Sequence, residues 1–67
     1  MTGTVTRLFF SRGFGFIAQL GGDDVYFHVY QLASGLEFDE QLTGRRVQFE
    51  IMDSAKGPRA VNVRAAD

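Results

Sequence analysis

The sequence predicts an all-β protein whose five short antiparallel strands close into a barrel. Three observations lead there. Five segments of the 67-residue chain are β-prone or alternate apolar and polar residues with a period of two. Turns bearing glycine punctuate them. No segment has a convincing helical period. Five strands in an open sheet or sandwich would leave exposed edges, which closure removes, so a barrel is preferred.

The elements follow in order. Residues 2–10 hold Thr, Val and Phe with no proline and read as the first strand. Ser11-Arg12-Gly13 is a turn. Residues 14–20 form the second strand, Gly21-Gly22-Asp23 a tight turn, and residues 24–29 the third strand. Residues 30–42 lack alternation and read as a long loop with a short helical turn; Thr43-Gly44 marks another turn. Residues 46–52 alternate, with Val47, Phe49 and Ile51 on one face and Gln48, Glu50 and Met52 on the other. Residues 53–58 are expected to be a loop, with Lys56-Gly57-Pro58 as its turn chemistry. Residues 59–64 alternate again and place Val61 and Val63 inward. The expected inward set is Val5, Ile17, Val25, Phe27, Val47, Ile51 and Val63.

Length and composition narrow the function classes. The whole chain, residues 1–67, is one small domain, and a core of this size rarely supplies more than ~3–5 kcal/mol. There is no cysteine, so neither a disulfide nor a thiolate–metal site supports the fold. No metal site or cofactor is expected. No run approaches a membrane span and no signal-peptide pattern opens the chain, so a cytoplasmic location is expected. The net charge is −1, but it is unevenly spread. Residues 1–22 hold Arg7 and Arg12 and no acid. Residues 23–53 hold seven acids against Arg45 and Arg46. Residues 54–67 hold Lys56, Arg59 and Arg64 against Asp67. If the two ends converge, a locally positive face can exist on an acidic protein.

Residues 12–17, Arg-Gly-Phe-Gly-Phe-Ile, carry the functional argument. Alternate side chains of a strand share a face, so Phe14 and Phe16 stand side by side and Ile17 lies opposite. In Val25-Tyr26-Phe27-His28 the same parity pairs Tyr26 with His28 and Val25 with Phe27. Paired as a hairpin, the two strands have one apolar face and one face bearing Phe14, Phe16, Tyr26 and His28. Burying those rings instead would turn Ile17 outward and put His28 and Tyr26 in the core. Rings beside cations on an open sheet suit the stacking of unpaired bases. His28 is the only histidine, and no triad, carboxylate pair or cysteine accompanies it, so stacking or hydrogen bonding to a base is preferred to catalysis. Asp39-Glu40 would repel phosphate and is placed away from the binding track.

The chain resembles the cold-shock domain family. Arg12-Gly13-Phe14-Gly15-Phe16-Ile17 looks like the family's first ribonucleoprotein motif with Arg for the usual Lys, and Val25-Tyr26-Phe27-His28 like the second, usually Val-Phe-Val-His. Gly3-Thr4-Val5 matches the family's opening; Lys56-Gly57-Pro58, Ala60 and Asn62-Val63 match its ending. The resemblance covers the whole chain, with one inserted residue between His28 and Gly44. It implies a five-stranded oligonucleotide-binding (OB-fold) barrel and a stacking platform of Phe14, Phe16, Tyr26 and His28. It permits a further ring from the loop, at Leu36 or Phe38; the alternative for Phe38 is to plug a barrel end. Arg7, Arg12, Lys56 and Arg59 are the candidate cations. The implied partner is single-stranded RNA or DNA bound without strict sequence specificity, with no small-molecule substrate and no membrane. A monomer is expected, with a dimer as the alternative. Family activities include melting weak RNA structure and modulating transcription or translation.

The departures matter as much. The family's first strand usually runs Val-Lys-Trp-Phe-Asn; here it runs Val5-Thr6-Arg7-Leu8-Phe9. Arg7 replaces the indole, Leu8 a stacking Phe, Thr6 a Lys, and Val29 the Phe that often follows the His. Phe9 and Phe10 match nothing in the pattern. These losses keep a second reading open: a diverged OB barrel serving protein interaction or oligomerisation, with weak nucleic-acid affinity.

Overall fold

The computed structural model describes residues 1–66; Asp67, counted above in the charge of the last segment, lies outside them. Five strands form: β1 (Thr2–Phe9), β2 (Phe14–Ala18), β3 (Val25–His28), β4 (Arg46–Ser54) and β5 (Gly57–Ala65). They close into a barrel in the order β1-β2-β3-β5-β4. Four seams are antiparallel, and the β3–β5 seam, where Tyr26 faces Arg59, is parallel. Closure requires this. Strand direction must return to itself after one circuit, so the number of antiparallel seams is even, and five strands need one parallel seam.

Residues 53–58 are a tight hairpin rather than the expected loop. β4 runs to Ser54 and β5 starts at Gly57, leaving Ala55 and Lys56 as the turn. The Ser54 hydroxyl donates to Gly57 O at 2.7 Å and accepts from Lys56 N, while Gly57 supplies a φ of 110° that a side chain would oppose. Residues 30–42 contain two 3₁₀ turns, Val29–Gln31 starting just ahead of them and Glu40–Leu42. Each has a side-chain cap. His28 Nδ1 accepts from Tyr30 N at 3.2 Å, and Asp39 Oδ1 accepts from Gln41 N at 2.9 Å.

The core consists of Val5, Ile17, Val25, Phe27, Leu42, Val47, Phe49, Ala60 and Val63. Ile51 faces inward as expected, opposite Ala60, and packs on the core half-buried. One expected inward residue lies elsewhere. Val61 is half-buried, while its neighbour Ala60 is fully buried. The reason is a bulge. Gln48 pairs with Arg64 and Glu50 with Val61, so Asn62 and Val63 together face the single residue Phe49. Asn62 takes the extra place at φ 52°, a conformation that asparagine tolerates better than most residues. Alternation restarts on the far side of it.

A second bulge, in β1, decides the shape of the outer face. Val5 pairs with Ile17, and Arg7 with Phe16, so Thr6 is the extra residue. Uninterrupted alternation from the buried Val5 would send Arg7 and Phe9 into the core and Leu8 outward. The bulge reverses this. Leu8 turns inward opposite Gly15 and packs on the core, and Arg7 and Phe9 turn outward. Gly15 makes the crossing possible. A Cβ there would stand 2.6 Å from Arg7 O, 2.8 Å from Leu8 Cδ2 and 2.9 Å from Phe27 Cε1.

Candidate nucleic-acid interface

Two cross-strand rows build the outer face of β1, β2 and β3. In the first, Arg7 pairs with Phe16, Phe16 with Tyr26, and Tyr26 with Arg59. In the second, Phe9 pairs with Phe14, and Phe14 with His28. Cross-strand partners sit within side-chain reach on one face. Pairing alone therefore brings together Arg7, Phe14, Phe16, Tyr26, His28 and Arg59, residues far apart in the chain.

The rings touch one another. Phe9, Phe14 and Tyr26 lie around Phe16 at centroid distances between 5.9 and 6.1 Å, with planes 76–84° from that of Phe16. Within this arc Phe14 is tilted 33° to Tyr26 at 5.2 Å. All four rings are half-buried, so each keeps part of its surface in solvent. His28 lies beside Tyr30, ring to ring at 4.7 Å, and its Nδ1 is engaged by the Tyr30 amide.

The candidate cations flank the rings. The Arg7 guanidinium lies over Phe9, 5.4 Å from the ring centre, and that of Arg59 over Tyr26 at 4.9 Å. Lys56 and Arg59 line a cleft of about 320 Å³ with Phe16, Tyr26 and Pro58. Arg12 stands exposed in the turn that opens β2, two residues before Phe14. The two terminal segments thus do meet on the aromatic face. Arg64 does not join them. It pairs with Glu50 at 2.8 Å, the one ion pair among the described residues. The Arg64 side chain, with help from Asn62, holds the Glu50 carboxyl below the usual carboxylate range.

Phe38 is placed apart from the four-ring group. It packs on the core against Phe27 at 6.4 Å and meets Phe10 edge-on at 5.4 Å. Phe10 and Phe38 share an open cleft with Asp39, Glu40 and Gln41. Two rings that sequence reasoning left off the platform lie beside it. Phe9 could not be found, because the Thr6 bulge that turns it outward leaves no mark on a period-two pattern. Tyr30, 87% exposed, had a signal: Tyr26, His28 and Tyr30 recur every second residue.

Comparison with known proteins decides the family. The model described as "'Cold-shock' DNA-binding domain" matches residues 1–66. The chain belongs to the cold-shock domain family. This is a nucleic-acid-binding family without enzymatic activity. The chain is 42% identical over 62 residues to the cold shock-like protein CspLB of Listeria monocytogenes, covering 92% of each chain. It is 46% identical over 56 residues to the cold shock-like protein CspC of Escherichia coli, covering 82% of this chain and 80% of the relative. In shape it is similar to the solved structure of drosophila Unr CSD456, with a TM-score of 0.77 at 20% identity; the match covers 98% of this chain and 26% of that longer one. That likeness shows the shared fold. No helix among the described residues is long and apolar enough to cross a membrane.

Proposed function

We propose that this cold-shock domain, read as a single unit over residues 1–67, binds single-stranded RNA or DNA with low sequence specificity. Bases stack on Phe14, Phe16, Tyr26 and His28, and Arg7, Arg12, Lys56 and Arg59 meet the backbone. The observation that carries the reading is the row Arg7–Phe16–Tyr26–Arg59, cation at each end and rings between, laid across four strands. Ring faces accept any base, because every base has a π-face, and the flanking cations supply a sequence-independent attraction to phosphate. Such a surface favours unpaired over paired strands. That suits an RNA chaperone or a modulator of transcription or translation, working as a cytoplasmic monomer.

One observation favours a second reading as a protein-interaction unit. Phe10 is 51% exposed and shares its cleft with Phe38, Asp39 and Glu40, where acids oppose a nucleic acid. A fluorescence titration with a short pyrimidine-rich single strand separates the two. Submicromolar, salt-sensitive binding is expected for the first. Four phosphate contacts give a log–log salt slope near −3, from ~0.7 per contact. No binding at low salt would leave the second.

A further inference from the structure

We propose that Arg59, grouped above with the cations that meet the backbone, is instead a stacking lid over Tyr26, admitting one unpaired base between its guanidinium and the phenol ring, which leaves three phosphate contacts and a log–log salt slope of about −2 rather than −3. This rests on the single-strand reading above and assigns one slot within it.

Three observations converge. First, Arg59 is the direct partner of Tyr26 across the parallel β3–β5 seam, so the two side chains leave the sheet together on one face. That neighbourhood is set by backbone pairing and not by a chance rotamer. Second, the guanidinium lies over the Tyr26 ring, 4.9 Å from its centre, while the one ion pair among the described residues joins Arg64 to Glu50. Arg59 is held by a ring face and not by a carboxylate, a contact that a base can replace in kind. Third, the space beside this pair is already a cleft of about 320 Å³, walled by Phe16 and Pro58 and with Lys56 at its rim. Its size lies at the lower end of small-ligand pockets.

The chemistry favours this division of labour. A guanidinium is planar, weakly hydrated and stacks on π-faces; an ammonium is a strongly hydrated point charge. Lifting Arg59 exchanges one cation–ring contact for two flat contacts, ring on base and base on guanidinium. Lys56, on the exposed hairpin turn next to the slot, is then the cation left for the phosphate of that nucleotide. The opposite end of the row lacks this construction. Arg7 leans over Phe9 rather than over its own cross-strand partner Phe16.

The test uses the full chain, a hexamer of thymidine and the variants Arg59→Lys and Lys56→Gln. Arg59→Lys keeps the charge and removes the plane. A lid predicts a loss of roughly tenfold in affinity with the salt slope of the parent. Lys56→Gln should lower the slope by ~0.7. An NMR readout independent of affinity follows the Arg59 δ-protons. They should be shifted upfield by Tyr26 in the free protein and stay ring-shifted in the complex. Parent-like affinity of Arg59→Lys, or δ-protons that move to random-coil positions on binding, would overturn the lid while leaving single-strand binding intact. A parent protein that fails to bind the hexamer would instead overturn the underlying reading.

Discussion

Phe9 lies face to face with Phe14, ring centres 4.8 Å apart and planes 22° from parallel. The Arg7 guanidinium also lies over the Phe9 ring. Phe9 is therefore placed as a brace, in contact with both Phe14 and Arg7. The contact exists because Thr6 is an extra residue in β1 and turns everything after it to the other face.

The brace and the platform should respond differently to truncation. Phe14→Ala and Phe16→Ala each remove a stacking surface and should weaken single-strand binding about tenfold, since base–aromatic stacking is worth ~1–3 kcal/mol. His28→Ala should weaken it as well. Phe9→Ala removes ring–ring contacts of ~0.5–1.5 kcal/mol each and the ring under Arg7, but no proposed base-stacking ring, and should cost less affinity than Phe14→Ala. Circular dichroism should show the barrel intact in all four. Unchanged affinity across the series would remove the platform.

Gly15→Ala should damage the fold itself. Its Cβ would enter the space between the β1 backbone and Phe27, both of which are fixed. Overpacking of this kind costs ~1–3 kcal/mol. For a domain of this size each kcal/mol lowers Tm by roughly 4–8 °C. Thermal denaturation reads the effect, and a Tm within a degree of the parent would show that the crossing has slack.

Arg7 stands where the resemblance to the family's usual first strand would put an indole. Arg7→Trp should raise affinity at moderate salt, because an added stack of ~1–3 kcal/mol exceeds one exposed charge contact of ~0.2–1 kcal/mol. Its salt slope should fall by ~0.7. Arg7→Ala should weaken binding and flatten the slope together. Titrations at several salt concentrations distinguish the three proteins; identical curves would mean that Arg7 does not touch the strand.

The Glu50–Arg64 pair predicts a small acid-side effect. The carboxyl is held below its ordinary range in the folded chain. Its contribution is therefore present above that range and is lost as pH falls through the lowered folded value. Glu50→Gln should lower Tm slightly near neutral pH, and the gap to the parent should close in acid. A gap that persists unchanged to low pH would mean that packing rather than charge is responsible.

Much of this protein was legible in the chain. Period-two alternation identified the strands, and parity separated Phe14, Phe16, Tyr26 and His28 from Ile17, Val25 and Phe27, because a strand has only two faces and one must be apolar. Local pattern also placed the turns at Gly13 and Gly21. What it could not hold was anything dependent on an irregular residue or a distant partner. Thr6 and Asn62 each add one residue to a strand, and an insertion of one inverts the inside–outside parity of the residues on one side of it relative to those on the other. Hence Phe9 was unplaced and Val61 was expected inward. The meeting of Arg59 with Tyr26 arises only when the ring of five strands closes through its single parallel seam. Ring closure is a global condition, so only the tertiary structure could determine which cation lies over which ring.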